Sequence, residues 1–89
     1  MRIPKSFELG GTTWTVTQVK NLDNLGVCQR DVNTILIREN APRSIKEQTF
    51  CHELTHAIKF TLGEDNHDEQ KVDVFATFLH QFLNTARYK

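Results

Sequence analysis

The apolar residues of this chain change period once, near Pro42, and that change restricts it to one kind of fold. Before Pro42 the pattern is of short strands. Phe7-Glu8-Leu9 runs into Gly10-Gly11, a turn signal, and Thr12 to Lys20 carries Trp14, Val16 and Val19 among β-prone neighbours. Asn21 to Gly26 is a polar loop. Val27 to Arg30 and Thr34 to Arg38 flank Asp31-Val32-Asn33, a spacing that predicts a hairpin. After Pro42 the period becomes helical. Ser44-Ile45-Lys46-Glu47 has the form of a capping box, with Ser44 as N-cap and Glu47 at the third helical position. This helix should run to about Leu62, with Gly63 as its stop, and bury Ile45, Phe50, Cys51, Leu54, Ala57, Ile58 and Leu62. A second helix should begin near His67, capped by Asp65 or Asn66, and continue to about Thr85. Its Val72, Phe75, Ala76, Leu79, Phe82 and Leu83 recur every three or four residues, which places them on the core. The expected fold is α+β, a small three- to four-stranded antiparallel sheet packed on two helices. Residues 1–41 form the sheet half and 42–89 the two-helix half of a single domain.

Eighty-nine residues with 38% hydrophobic content supply one core and no second one. Eleven Lys and Arg are scattered among eleven Asp and Glu, without the basic stripe of a nucleic-acid binder. No apolar run reaches the length of a membrane span, and Met1-Arg2-Ile3-Pro4-Lys5 does not open an apolar signal segment. Cys28 and Cys51 are too few and too far apart for a disulfide framework. A reduced, cytoplasmic chain is therefore expected, with both cysteines as packing residues and Trp14 anchoring the sheet on a helix. The charged pair Arg38-Glu39 at a strand end reads as solvated.

Within the first predicted helix stands His52-Glu53-Leu54-Thr55-His56, an H-E-x-x-H pattern. Residues i and i+4 share a helix face, so His52 and His56 can hold one divalent ion side by side. Glu53 faces the same cleft, where it can take a proton from water activated by the metal. Chance produces the pattern in roughly one shuffled chain of this composition in a hundred, so the surroundings must decide. A catalytic zinc usually has three protein ligands. An extension carrying a third His six residues on is excluded, because Lys59 and Leu62 occupy its Gly and His positions. The second helix offers Asp68, Glu69 and Asp73. At about 100° per residue, Glu69, Val72, Asp73, Ala76, His80 and Leu83 fall in one largely apolar stripe, and Asp68 points about 100° away from it. A carboxylate on such a face is costly unless paired or bound to metal. Glu69 is thus the expected third ligand. Asp73, one turn later, is placed to accept the free ring N–H of a metal-bound His. Glu69 could alternatively close a capping box with Asn66. His80 lies too far along for the same metal and reads as a core or edge histidine. His67 and Tyr88 are the candidates for an oxyanion donor.

H-E-x-x-H followed on the next helix by E-x-x-x-D resembles the gluzincin metallopeptidases. Glu69 to Ala76 also resembles the E-x-x-A-N-x-F-A segment of the ImmA/IrrE-type peptidases, with Val72 for the family's Ala and Asp73 for its Asn. The likeness covers residues 44 to 83 and is greatest to phage or prophage members of that group. It implies a zinc peptidase in which His52, His56 and Glu69 bind Zn2+, Glu53 is the general base, and the substrate is a peptide or protein. Several of that family act on helix-turn-helix transcriptional repressors. An extended substrate could add to the Thr34 to Arg38 strand. Two rival readings are a zinc-bearing module that binds a peptide or protein without cutting it, and a structural zinc closed by His67 or Asp68.

Overall fold

The computed structural model describes residues 1–89. Two hairpins make its sheet. In the first, β1 (Ser6–Leu9) and β2 (Thr12–Val19) pair antiparallel across Gly10 and Gly11. Both glycines have positive φ, +56° and +82°, which a two-residue hairpin turn requires and a Cβ would oppose. In the second, β3 (Gly26–Gln29) and β4 (Thr34–Arg38) pair antiparallel around a single 3-10 turn at Arg30–Val32. Asn33 ends that turn in the left-handed region.

The hairpins do not continue into an antiparallel meander. The strand order is β1-β2-β4-β3, and β2 runs parallel to β4, with Val16 opposite Ile35 and Gln18 opposite Ile37. The α+β class holds, but the sheet is mixed. Packing gives the reason. Ile35 and Ile37 are fully buried, so the most apolar strand takes an interior place with a neighbour on each side. Residues 20–25 then carry the chain past the end of β4 to its far edge, and Arg38 holds that crossing. Its guanidinium donates to the carbonyls of Leu22 (2.8 Å) and Asp23, and its backbone N–H donates to Leu25 O (2.9 Å). Arg38 is therefore a clamp, not a solvated strand end. A further consequence is that β4 is paired on both sides, so the Thr34 to Arg38 strand cannot accept an added peptide. The free edge on this side of the sheet belongs to β3.

Helix α1 (Arg43–Thr61) lies across β3 and β4, and α2 (Glu69–Thr85) packs mainly against α1. Trp14, 3% exposed, joins sheet to helix through Phe7, on which it stacks at 6.2 Å; Phe50 of α1 meets Phe7 edge-on at 6.0 Å. No capping box forms at α1. Pro42 occupies the N-cap without a side-chain bond, and its carbonyl accepts from Lys46 N (2.9 Å). Glu47 instead turns inward and is buried, held by Arg43 Nε (3.0 Å) and His80 Nε2 (3.0 Å), with the Met1 amino group 3.8 Å away. His80 is thus an edge histidine that braces the two helices. Gly63, at φ +85°, terminates α1 as expected. Helix α2 starts at Glu69, two residues later than expected, with Asp68 as its cap. Asp68 Oδ1 accepts from Gln70 N (3.0 Å) and Lys71 N (3.3 Å), so neither Asp65 nor Asn66 has that role.

Because α2 has α1 beneath it and no layer above, only its narrow inner stripe is covered. Val72 and Ala76 are fully buried, whereas Phe75, Phe82 and Leu83, expected on the core, are exposed, as is Phe78. Ile45 and Leu62, at the two ends of α1, also lie outside the core. Cys28 and Cys51 are unpaired. No helix is long and apolar enough to cross a membrane.

Candidate metal centre

His52 and His56 stand one turn apart on the face of α1 that meets the start of α2, their ring centroids 5.0 Å apart. They are partly sheltered, with side chains 23% and 12% exposed. Gly63 ends α1, and the chain turns back through residues 64–68 so that the first residue of α2 arrives opposite both rings. Glu69 Oε1 lies 3.1 Å from His56 Nε2, and Glu69 Oε2 lies 3.3 Å from His52 Nε2. One donor atom from each of the three residues falls within 4.8 Å of the others. Two ligands on a tetrahedral zinc, at ~2.0–2.2 Å from the ion, come to rest about 3.3 Å apart. Two imidazole nitrogens and a carboxylate oxygen at such spacing could hold a divalent ion, and zinc suits this donor set best.

Asp73 Oδ1 stands 3.5 Å from His52 Nδ1, the nitrogen turned away from Glu69. A carboxylate there favours the tautomer with the proton on Nδ1 and the lone pair on Nε2. Helical phase thus brings Glu69 and Asp73 to the same pair of rings, as expected, but not by burying them. Their side chains are 68% and 69% exposed, although Val72, between them in the same stripe, is fully buried. The anticipated desolvation cost of a carboxylate on an apolar face does not arise at either. Asn66 forms no capping box with Glu69, since Asp68 already serves the helix end.

The two candidates for an oxyanion donor are placed elsewhere. Tyr88 is in the exposed tail beyond α2. His67 sits behind His56, with its Nδ1 2.6 Å from His56 Nδ1 and its Nε2 2.7 Å from the Glu64 carbonyl. Neither it nor Asp68, engaged as a cap, belongs to the ligand group.

Glu53 is 9% exposed and lies beside the His52 and His56 face of α1, on the side that meets the start of β3. Burial pushes its carboxyl above the ordinary carboxylate range; His52 opposes the shift and the Glu69 carboxylate adds to it. Burial holds the His56 imidazole below its ordinary value. Glu69 works against this, and His52 and His67 reinforce it, so the ring is kept in the neutral form that can act as a ligand. Burial also disfavours the thiolate at both cysteines, pushing Cys28 up to about 12 and Cys51 up to about 11.

His52, Glu53 and Asp73 all reach one cavity of about 420 Å³, which Asn24, Leu25, Gly26, Ile45, Gln48 and Thr49 complete. Residues 24–26 were legible in the sequence only as a polar loop. The available signal was Gly26, which ends that loop where the backbone passes close to α1: a Cβ on it would lie 2.4 Å from Thr49 Cγ2 and 3.1 Å from Glu53 Cγ. Comparison with models of protein families, with curated proteins and with solved structures finds no match to this chain, so a functional reading must rest on the site itself.

Proposed function

We propose that this chain is a zinc-dependent peptidase, with His52, His56 and Glu69 holding the ion and Glu53 acting as general base. The observation that carries the reading is convergence. His52, one member of a three-donor group, and Glu53, a buried carboxyl whose pKa burial raises, line the same open cavity. The gluzincin-like order of His52, Glu53, His56, Glu69 and Asp73 along the chain supports it. Zinc, when bound, supplies the Lewis acidity that brings water's pKa to about 7 and polarises a carbonyl. Glu53 takes a proton from the attacking water and returns it to the departing amine, a task suited to a carboxyl whose affinity for protons is increased by burial. Asp73 keeps the His52 ring oriented. The free edge of β3 begins at Gly26, beside Glu53, and an extended peptide can add there through backbone hydrogen bonds. A protein of this kind fits a cytoplasmic role on a peptide or protein substrate, a helix-turn-helix repressor being the class the family likeness suggests.

A second reading is a zinc-containing module that binds a peptide without cutting it. One observation favours it: neither His67 nor Tyr88 is directed into the cavity as a donor. A purely structural zinc is less well supported, because His67 and Asp68 are engaged elsewhere. Metal analysis combined with a substrate trap separates these readings. Zinc should be present at one per chain and lost in His56→Ala. Glu53→Gln should keep the zinc, abolish cleavage and retain substrate for identification by mass spectrometry. Cleavage by Glu53→Gln at the wild-type rate would remove Glu53 from its role, and stable peptide capture by the wild-type protein without any cleavage would establish the second reading.

A further inference from the structure

His67 lies outside the ligand group and outside the cavity, yet both its ring nitrogens are engaged. Its Nε2 is 2.7 Å from the Glu64 carbonyl oxygen. A carbonyl can only accept, so His67 Nε2 carries the proton, and in the neutral ring Nδ1 is left as a bare acceptor. That Nδ1 is 2.6 Å from His56 Nδ1. Two bare nitrogens would repel at such a distance, so His56 Nδ1 carries a proton and donates it to His67. The lone pair of His56 then falls on Nε2, which faces Glu69 Oε1 at 3.1 Å, so that two acceptors converge where only a shared cation would relieve their repulsion.

We infer that His67 is a positioning residue for the metal centre: it fixes the His56 tautomer and aims the Nε2 lone pair at the ion. This rests on the zinc reading of the site given above. His67 does for the second histidine what Asp73 does for the first, with one difference in charge. Glu53, Glu69 and Asp73 already place three carboxylates around the two rings. A fourth would leave the centre more negative still, whereas a neutral imidazole orients His56 without adding charge. The ring is itself held firmly. It packs on Phe60 at 4.4 Å and lies within 17° of the His56 plane. Arg30 spans the Phe60 ring at 4.8 Å and bonds Asp65 at 2.6 Å, which ties down the loop that carries His67.

The test measures zinc affinity by chelator competition in wild type, His56→Ala, His67→Ala and His67→Asn, with circular dichroism confirming that each is folded. His67→Ala should weaken zinc by about 10–100-fold. His67→Asn, whose Oδ1 can occupy the place of the imidazole Nδ1 as an acceptor, should recover most of that loss. In ¹⁵N NMR of the zinc-loaded wild-type protein, a coupling across the hydrogen bond should join the two Nδ1 atoms, with the proton on His56. Three results would overturn the inference while leaving the zinc reading intact: His67→Ala binding as tightly as wild type, Ala and Asn variants equally weakened, or a proton on His67 Nδ1 in the loaded protein. Failure of the wild-type chain to bind zinc would instead overturn the reading on which it rests. If His67→Ala does not fold, the NMR experiment on the wild type still decides.

Discussion

Gly26→Ala should destabilise this protein far more than an exposed strand glycine would, because the added methyl has no room. The new Cβ would lie 2.4 Å from Thr49 Cγ2, 3.1 Å from Glu53 Cγ and 3.2 Å from the Leu36 carbonyl oxygen. Carbon atoms in contact prefer about 3.5–4.0 Å, so the overlap with Thr49 exceeds roughly 1 Å. Thr49 is 8% exposed and Glu53 9%, so neither side chain has open solvent beside it to move into. The third obstacle is backbone in β4 and cannot move alone. Overpacking of this kind costs about 1–3 kcal/mol, and obstruction from three sides puts Gly26→Ala near ~2–3 kcal/mol. At about 4–8 °C per kcal/mol for a domain of this size, Tm should fall by roughly 10–20 °C. The decisive assay is a double-mutant cycle by urea denaturation without added metal. Thr49→Ser removes the obstructing Cγ2 and should cost about 1 kcal/mol alone, yet restore about 1–2 kcal/mol in the Gly26→Ala background. Additive effects, or a Gly26→Ala protein within about 0.5 kcal/mol of wild type, would show that β3 does not approach α1 closely enough to confine Glu53.

Other consequences can be measured directly. Zinc at a hundred times its Kd should add about 2.7 kcal/mol, a Tm rise of roughly 10–20 °C by thermal denaturation; Glu69→Gln should show less than half of that rise, and an undiminished rise would exclude Glu69 as a ligand. His80's hydrogen bond holds the Glu47 carboxyl below its ordinary value of 4.5, against the opposing effect of burial and with help from Arg43, the N-terminal amine and Asn84. The unfolded chain therefore takes up a proton at Glu47 more readily than the folded one, so this contribution is complete above pH 4.5 and is lost as pH falls through the lower folded value. Melts across that range should show a shallower acid loss in Glu47→Gln, which at neutral pH should itself cost about 1–3 kcal/mol; an unchanged acid slope would count against the assignment. Asp68→Ala removes the α2 cap and should cost about 1 kcal/mol in denaturant melts. It should also weaken zinc binding, because Glu69 is the next residue, and unaltered stability would mean that another group caps the helix.

Local chemistry was legible wherever a feature depends on neighbours in the chain. Gly10-Gly11 supplies two positive-φ positions in succession, Asp31-Val32-Asn33 a short turn, and Gly63 a helix stop; the structure has a turn or end at each. The four-residue step from His52 to His56 and from Glu69 to Asp73 sets a common face by helix geometry alone, and the two faces meet. The caps were harder to read. Ser44, Asp65, Asn66 and Asp68 all have suitable side chains, and only the path of the chain determines which one is engaged. Pro42 stands at the start of α1 with no capping side chain, and Glu47, which a capping box would use, is drawn inward to His80, a residue thirty-three positions away.

What the sequence determined by itself, then, was the order of strands and helices, the two hairpins, and the residues able to approach a metal from two helix faces. Periodicity and turn chemistry act over a few residues and need no knowledge of the rest of the chain. Tertiary structure alone decided that β2 and β4 run parallel, that β3 and not β4 has the free edge beside Glu53, and that His67 lies behind His56 instead of facing the cavity. It also decided that Phe75, Phe82 and Leu83 stay exposed, since an apolar helix stripe shows which residues could be buried but not how much of it a neighbour covers. Each of these depends on docking between elements distant in sequence: Ile35 and Ile37 seeking an interior strand position, Arg38 clamping residues 20–25, and α2 having α1 on one side and no layer on the other.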